Sequence, residues 1–362
     1  MVEPNSNDFL QELLTLAGSG QAFSDIHLEQ DAQAMIKTPR GWQPFRDAPV
    51  SLKEMTPFLQ AVDEDWEDKI VDRALDRPLT LPNCRLRCNV YRMGAGSKVG
   101  VSIRRLPLLP LALESTGLPS YVRTLLDAAN GLILVSGPTG SGKTTSIAAM
   151  LDYINGLRNG HIVTIEEPIE YVLQRKRSIV SQKEVPTDTA SFASGLREAL
   201  RQKPDVLMVG EIRDYDTAET VLHAAESGHL VLATLHTSHA VGAITKLLGF
   251  FPAEQREQRA TALANALVGV IFQGLLPSES GKDFVLASEM IFNNNQQLAP
   301  FLSAPGKLHL IADFMKRKED NMSRSLNDAL AQLVGKKAVN ARDAMRIAYN
   351  RLELHEMLGN LR

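Results

Sequence analysis

The tightest constraint on this chain is the run Gly137-Pro138-Thr139-Gly140-Ser141-Gly142-Lys143-Thr144. It fits G-x-x-x-x-G-K-[ST], and its flanks matter as much as its letters. The apolar stretch GLILVS stands before it, and TTSIAAMLDYI, a good helix former, follows. A strand, a glycine-rich loop and a helix in that order let backbone N–H groups wrap a phosphate, while the helix N-terminus adds positive potential. Lys143 then offers a cation to β- and γ-phosphates, Thr144 offers a hydroxyl to Mg²⁺, and Thr145 follows in the first helical turn. The loop therefore demands an α/β core and predicts a site for a nucleoside triphosphate.

The rest of the chain meets that demand. From Ser120 the segments YVRTLLDAA, GLILVSG, HIVTIEE, DVLMVGE and HLVLATLH alternate helix with uninterrupted apolar strand, which predicts a parallel sheet covered on both faces over 120–277. Residues 278–362 read as mostly helical, with one strand at FVLASEMIF; helices are expected near 253–274, 306–319, 323–334 and 340–358. Before the core, 1–105 reads as a small α+β domain. A helix is expected through Phe9, Leu13 and Ala17, strands at SDIHL, AMIK and WQPF, and a helix over 51–75. RLRCNVYRM and VGVSIRRL should pair around Gly94-Ala95-Gly96. Between the two, 106–119 carries Pro107, Pro110 and Pro119 and reads as a stiff linker.

Composition excludes several classes. With a net charge of −3 over 362 residues, no global basic field would draw nucleic acid or an anionic membrane. The longest apolar stretch, 262–276, is broken by Asn265 and Gln273 and falls short of the roughly 20 residues a span needs. A membrane role would run through a partner. The first twenty residues are acidic and amphipathic, unlike a signal peptide. Cys84 and Cys88 lack zinc-site spacing and read as core thiols of a chain in a reducing cytosol.

A phosphate cradle alone hydrolyses nothing; one carboxylate must serve the metal and another must orient water. Glu211 follows the buried run VLMV and is placed for the first task, because ligands bind at the carboxyl ends of such strands. TIEEPIEY offers Glu166, Glu167 and Glu170 for the second. Arg197 and Arg201 share one helix face, by spacing as much a solvated pair as a phosphate contact. Arg85, Arg87, Arg104 and Arg105 stand on the first domain's strands. His229 and His236 bracket a strand and lack the neighbours of a metal or nucleophile site.

With these boxes in order, GPTGSGKT, TIEEPIEY, VLMVGEIRD and GHLVLATLHT, the chain resembles the secretion-ATPase superfamily of type II secretion, type IV pili and conjugation, above all pilus retraction ATPases of the PilT/PilU kind. The resemblance implies a PAS-like N-terminal domain, a RecA-like P-loop core and a hexameric cytoplasmic motor. Such a motor would bind ATP and Mg²⁺ and act peripherally on an inner-membrane platform protein, with no nucleic acid. It implies Glu170 as the catalytic acid, Glu211 as the Mg²⁺-side acid, and His229 and His236 as sensors of the nucleotide state. Arg87 and Arg104 would approach ATP across a subunit boundary, and Arg197 and Arg201 would lead into the Glu211 strand. Departures are Glu167 where Asp is usual, Lys246 where Arg is common, and NNNQQLAPFLSAP where retraction ATPases carry an AIRNLI-like signature. Conjugative, type IVB or type II secretion ATPases stay open as alternatives, and a RecA-like nucleic-acid motor is a distant one.

Overall fold

A computed structural model describes residues 6–82, 84–293, 297–318, 320 and 322–359. The chain divides into two compact units, Met1–Leu108 with Ser280–Phe284, and Leu109–Glu279 with Val285–Arg362.

In the first unit, α1 (Ser6–Gly18) precedes β1 (Asp25–Glu29), β2 (Ala32–Thr38) and β3 (Gly41–Val50); α2 (Leu52–Val62), α3 (Trp66–Lys69), β4 (Leu75–Thr80), β5 (Cys84–Met93) and β6 (Lys98–Pro107) follow. The described strands form one sheet in the order β3-β2-β1-β6-β5-β4. Alternation puts Cys84, Leu86, Cys88 and Val90 of β5 inward, where they join Phe9, Leu13 and Phe58 from the helices. Both cysteines are free and buried, and burial pushes the Cys88 thiol up to about 12. The single helix expected over 51–75 is instead two helices, α2 and α3, with strand β4 beginning at Leu75. Asp63 ends α2 in an extended conformation and collects Lys69 at 2.6 Å and Arg77 at 3.1 Å, turning the chain toward the sheet edge.

In the second unit, α4 (Arg123–Leu126) leads into β7 (Gly131–Ser136), α5 (Lys143–Leu157), β8 (His161–Glu166), β9 (Ile179–Glu184), α6 (Phe192–Ala199), β10 (Val206–Val209), α7 (Tyr215–Glu226), β11 (Leu230–Leu235), α8 (Ala240–Gly249), α9 (Arg256–Ala266), β12 (Leu267–Pro277) and β13 (Phe284–Phe292). Short helices α10 (Ala299–Leu302), α11 (Leu310–Arg317), α12 (Leu326–Gly335), α13 (Ala341–Ile347) and α14 (Arg351–Gly359) complete it. The sheet order is β13-β12-β7-β11-β10-β8-β9, and β12, β7, β11, β10, β8 and β9 pair in parallel. β7, β10 and β11 are buried along their whole length, as expected of strands covered on both faces.

Three expectations differ from this architecture. The helix expected over 253–274 stops at Ala266, where Asn293 Nδ2 donates to the carbonyls of Ala264 and Leu267, both at 3.0 Å. The next eleven residues form strand β12 beside β7. Because β12 and β13 share the core's sheet, 278–362 is no separate layer. Most of the proline-rich segment 106–119 also belongs to the second unit, with Leu113 and Leu118 buried in its core. Of the stretch NNNQQLAPFLSAP, residues 294–296 lie outside the described residues. Among the described residues no helix is long and apolar enough to cross a membrane.

Candidate nucleotide site

β7 carries the chain straight into the glycine-rich loop. Gly137 has φ +149°, and a Cβ there would meet Gln273 O of β12 at 2.3 Å and Ser141 Oγ at 2.6 Å, so the loop closes only around glycine. Gly142, at φ +84°, turns the chain into α5. Lys143 Nζ lies across the loop, donating to Gly137 O at 2.8 Å and Pro138 O at 3.0 Å. Burial lowers its pKa to about 8, opposed by the charges of Glu211 and Glu170. Those two acids are thus within electrostatic reach of Lys143, as a triphosphate site requires.

Ser141 Oγ is buried without a hydrogen-bond partner. An orphaned buried hydroxyl is costly in a closed loop and fits a loop built around phosphate oxygens. For Mg²⁺ the available donors are hard oxygens, the Thr144 hydroxyl and the Glu211 carboxylate. Among the described residues no cluster of three His, Cys, Asp or Glu could hold a metal unaided. Mg²⁺ keeps waters and takes phosphate oxygens to complete its shell, so one hydroxyl and one carboxylate are enough to hold it at a bound triphosphate.

His236, at the carboxyl end of β11, stands between the two charged groups. Its Nδ1 is 3.4 Å from Lys143 Nζ and its Nε2 is 3.4 Å from Glu211 Oε1. An ammonium can only donate, so the Lys143 contact assigns the imidazole proton to Nε2, facing the carboxylate. Burial and then Lys143 lower the His236 pKa, which keeps the ring neutral. Arg213 Nε donates to Glu211 Oε2 at 2.7 Å, and its NH1 pairs with Glu167. The acid loop after β8 is fastened from β9. Gln182 Nε2 donates to Glu166 Oε1 at 3.0 Å and Tyr171 O at 2.9 Å, and its Oε1 accepts from Leu173 N at 2.8 Å. Thr145 Oγ1 meets the Tyr171 hydroxyl at 2.8 Å, tying the loop that carries Glu170 to the first turn of α5. Burial raises the Glu166 pKa, against hydrogen bonds from Thr164 and Gln182.

Residues 72–334 match the family described as "Type II/IV secretion system protein". The chain belongs to this family. It is a P-loop ATPase of the secretion and pilus-motor class. It is 36% identical over 304 residues to the "Twitching motility protein" of Neisseria gonorrhoeae, covering 83% of this chain and 80% of that one. It is 37% identical over 275 residues to the "Type IV pilus retractation ATPase PilT" of Pseudomonas aeruginosa, covering 75% and 79%. The crystal structure of the pilus retraction motor PilT with bound ADP superposes with a TM-score of 0.79 at 36% identity, covering 95% of this chain and 99% of that one.

Among the other residues singled out in the sequence, His229 lies at the opposite end of a core strand from the phosphate loop. His229 directly precedes β11 and His236 directly follows it, so the two lie about 23 Å apart at ~3.3 Å per residue. His229 Nδ1 is 3.0 Å from Ala224 O in the last turn of α7, a structural contact. Arg197 and Arg201 are exposed. α6 starts beside the end of β10, where the Phe192 ring lies 3.2 Å from the Cβ position of Gly210. It then runs back toward Asp205, which accepts from the amide at the start of β8 at 2.7 Å. In the first unit, Arg87 and Arg104 are direct register partners across β5 and β6. Like charges placed so are unfavourable alone. Acids flank them, with Arg87 Nε 3.7 Å from Asp76 and Arg104 Nε 3.1 Å from Asp25, and each stays nearly half exposed. Arg105 turns the other way and donates to Gln21 O at 3.0 Å. Sequence reasoning missed Gln273, whose Nε2 donates to Ser141 O at 2.8 Å, and gave no role to Arg213, Gln182 or Tyr171.

Proposed function

We propose that this chain is the cytoplasmic motor subunit of a type IV pilus, of the retraction and twitching type, working as a hexameric ring on an inner-membrane platform protein. The convergence of Lys143, Glu170 and Glu211 at the carboxyl ends of parallel strands carries the reading, and the likeness to twitching-motility and retraction proteins supports it. In this reading the amides of Gly137–Thr145 and Lys143 grip ATP, and Thr144 with Glu211 holds Mg²⁺, which supplies charge neutralisation at the phosphates when bound. Glu170 orients the attacking water. His236 links Lys143 to Glu211 and so registers whether a γ-phosphate occupies the loop. His229, Arg197 and Arg201 could serve a nucleotide only from outside this chain's own loop.

Arg87 and Arg104 would act on the nucleotide of an adjacent copy. Their acid partners, Asp25 and Asp76, hold the paired guanidinium groups ready while phosphates are absent, and the loss of a phosphate returns the arginines to them. Mixing two inactive variants tests this. A Lys143→Ala chain and an Arg104→Ala chain, each inactive alone, regain ATP hydrolysis on mixing, because some boundaries then combine an intact Lys143 with an intact Arg104. No recovery in oligomers shown to be mixed would overturn the shared site. The C-terminal departure from the retraction signature favours a second reading, the ATPase of a conjugative, type IVB or type II apparatus, with the same chemistry.

A further inference from the structure

The second unit holds a cavity of about 580 Å³ walled by α8, α11 and α12, with no part in the phosphate site. Its body is aliphatic, formed by Val241, Leu248, Leu308, Ala312, Met315 and Leu326. That size and lining are typical of small-molecule sites, which add a few placed polar groups to an apolar cleft.

Among the polar groups of the lining is a carboxylate set against this apolar wall. Glu289 projects from β13 into this region, and the structure gives it one hydrogen bond, from Ala240 N to Oε2 at 2.7 Å. Among the described residues no cation pairs with it, and burial raises its pKa to about 7. Asn327 is 3% exposed; its Nδ2 donates to Asn350 O at 2.8 Å and Glu353 Oε2 at 2.7 Å, but its buried Oδ1 has no partner. Of the lining's cations, Lys316 pairs with Glu353 at 3.1 Å and Arg256 donates through Nε to Phe251 O at 3.0 Å. At the rim, the His239 and Tyr349 rings stack 4.9 Å apart. A half-buried carboxylate at an apolar cavity, held by a single backbone hydrogen bond, asks for a ligand that brings positive charge and N–H groups.

We propose that this cavity binds a small amphipathic amine, its aliphatic body against the apolar wall and its protonated nitrogen on Glu289. Such a ligand would be sensed at the nucleotide. Glu289 caps the first residue of α8, and Lys246 of the same helix donates to His236 O at 3.2 Å. Only this coupling rests on the reading of His236 as a nucleotide sensor; the binding does not.

The test uses n-octylamine and its uncharged counterpart 1-octanol, titrated calorimetrically into the full chain at pH 8. The amine is expected to bind one per chain and at least ten-fold more tightly than the alcohol. Glu289→Gln should reduce amine affinity at least ten-fold, and Ala312→Phe, a change at an exposed position of the wall, should abolish binding of both probes. Both variants are first shown to retain ATP binding and the wild-type circular dichroism spectrum, so their folding is separated from the result. Equal affinity for amine and alcohol, or unchanged amine affinity in either folded variant, would overturn the assignment.

Discussion

Glu289 makes a prediction about stability that needs no ligand. Its carboxyl titrates near 7 in the fold, against an ordinary value of 4.5, because burial outweighs the hydrogen bond from Ala240 N. The gap corresponds to roughly 3 kcal/mol between the protonation states. Since the folded-state pKa is the higher one, the favourable contribution is complete below about 4.5 and is lost as pH rises through 7. Glu289→Gln stays neutral throughout and can still accept the Ala240 amide, so the wild-type chain should lose stability relative to the variant as pH climbs. Between pH 5 and 8.5 the difference in unfolding free energy should move by about 2–3 kcal/mol in the variant's favour. Urea unfolding is followed by far-ultraviolet circular dichroism, which includes the helices of this unit, whereas tryptophan fluorescence would report the other one, where Trp42 and Trp66 lie. A difference flat to within ~0.5 kcal/mol across that range would show that Glu289 meets water or a cation in the fold, and the reasoning about its burial would fail.

The phosphate site makes three more predictions. Glu170→Gln should bind ATP normally while phosphate release falls at least a hundred-fold; normal turnover would remove Glu170 from the chemistry. Gly137→Ala places a Cβ 2.3 Å from a β12 carbonyl, so ATP binding should fall at least ten-fold and urea stability by about 2 kcal/mol, checked by calorimetry and unfolding midpoint. Lys143 titrates near 8 before phosphates arrive, and their negative charge raises it, so ATP binding near pH 8 should take up a proton. Calorimetry in buffers of different ionisation enthalpy measures that uptake, and Lys143→Ala should abolish it.

Much of the core was legible because local pattern and global demand coincide there. GLILVS, VLMV and LVLATL are apolar without interruption, and only burial on both faces accommodates such runs. The glycine-rich loop was legible for a similar reason, since its spacing encodes backbone geometry directly. β12 was hidden because α9 runs into it with no glycine or proline between them. The signal that ends the helix, the Asn293 side chain on the carbonyls of Ala264 and Leu267, comes from far along the chain. With β12 hidden, Gln273 could not be seen as the clasp on the phosphate loop. β4 was hidden likewise, its course set by Asp63 gathering Lys69 and Arg77.

The histidine pair shows how far spacing carries and where topology must take over. Seven residues apart on a buried strand, His229 and His236 look equivalent in sequence, one flanking each end. Their roles separate once β11 is known to pair in parallel with β7, because all glycine-loop chemistry then gathers at the carboxyl ends and only the second histidine lies there. Arg197 and Arg201 likewise come before their strand, β10. A residue's distance from the phosphates in such a sheet is thus governed less by its neighbours in sequence than by which strand terminus it follows. Glu170, Glu211 and His236 all come after their strands, whereas His229, Arg197 and Arg201 come before theirs. Any arginine that completes the charge balance at the γ-phosphate must then either follow a strand, as Arg213 does while bound to Glu211 and Glu167, or come from another domain, which leaves the paired Arg87 and Arg104 as the groups to test.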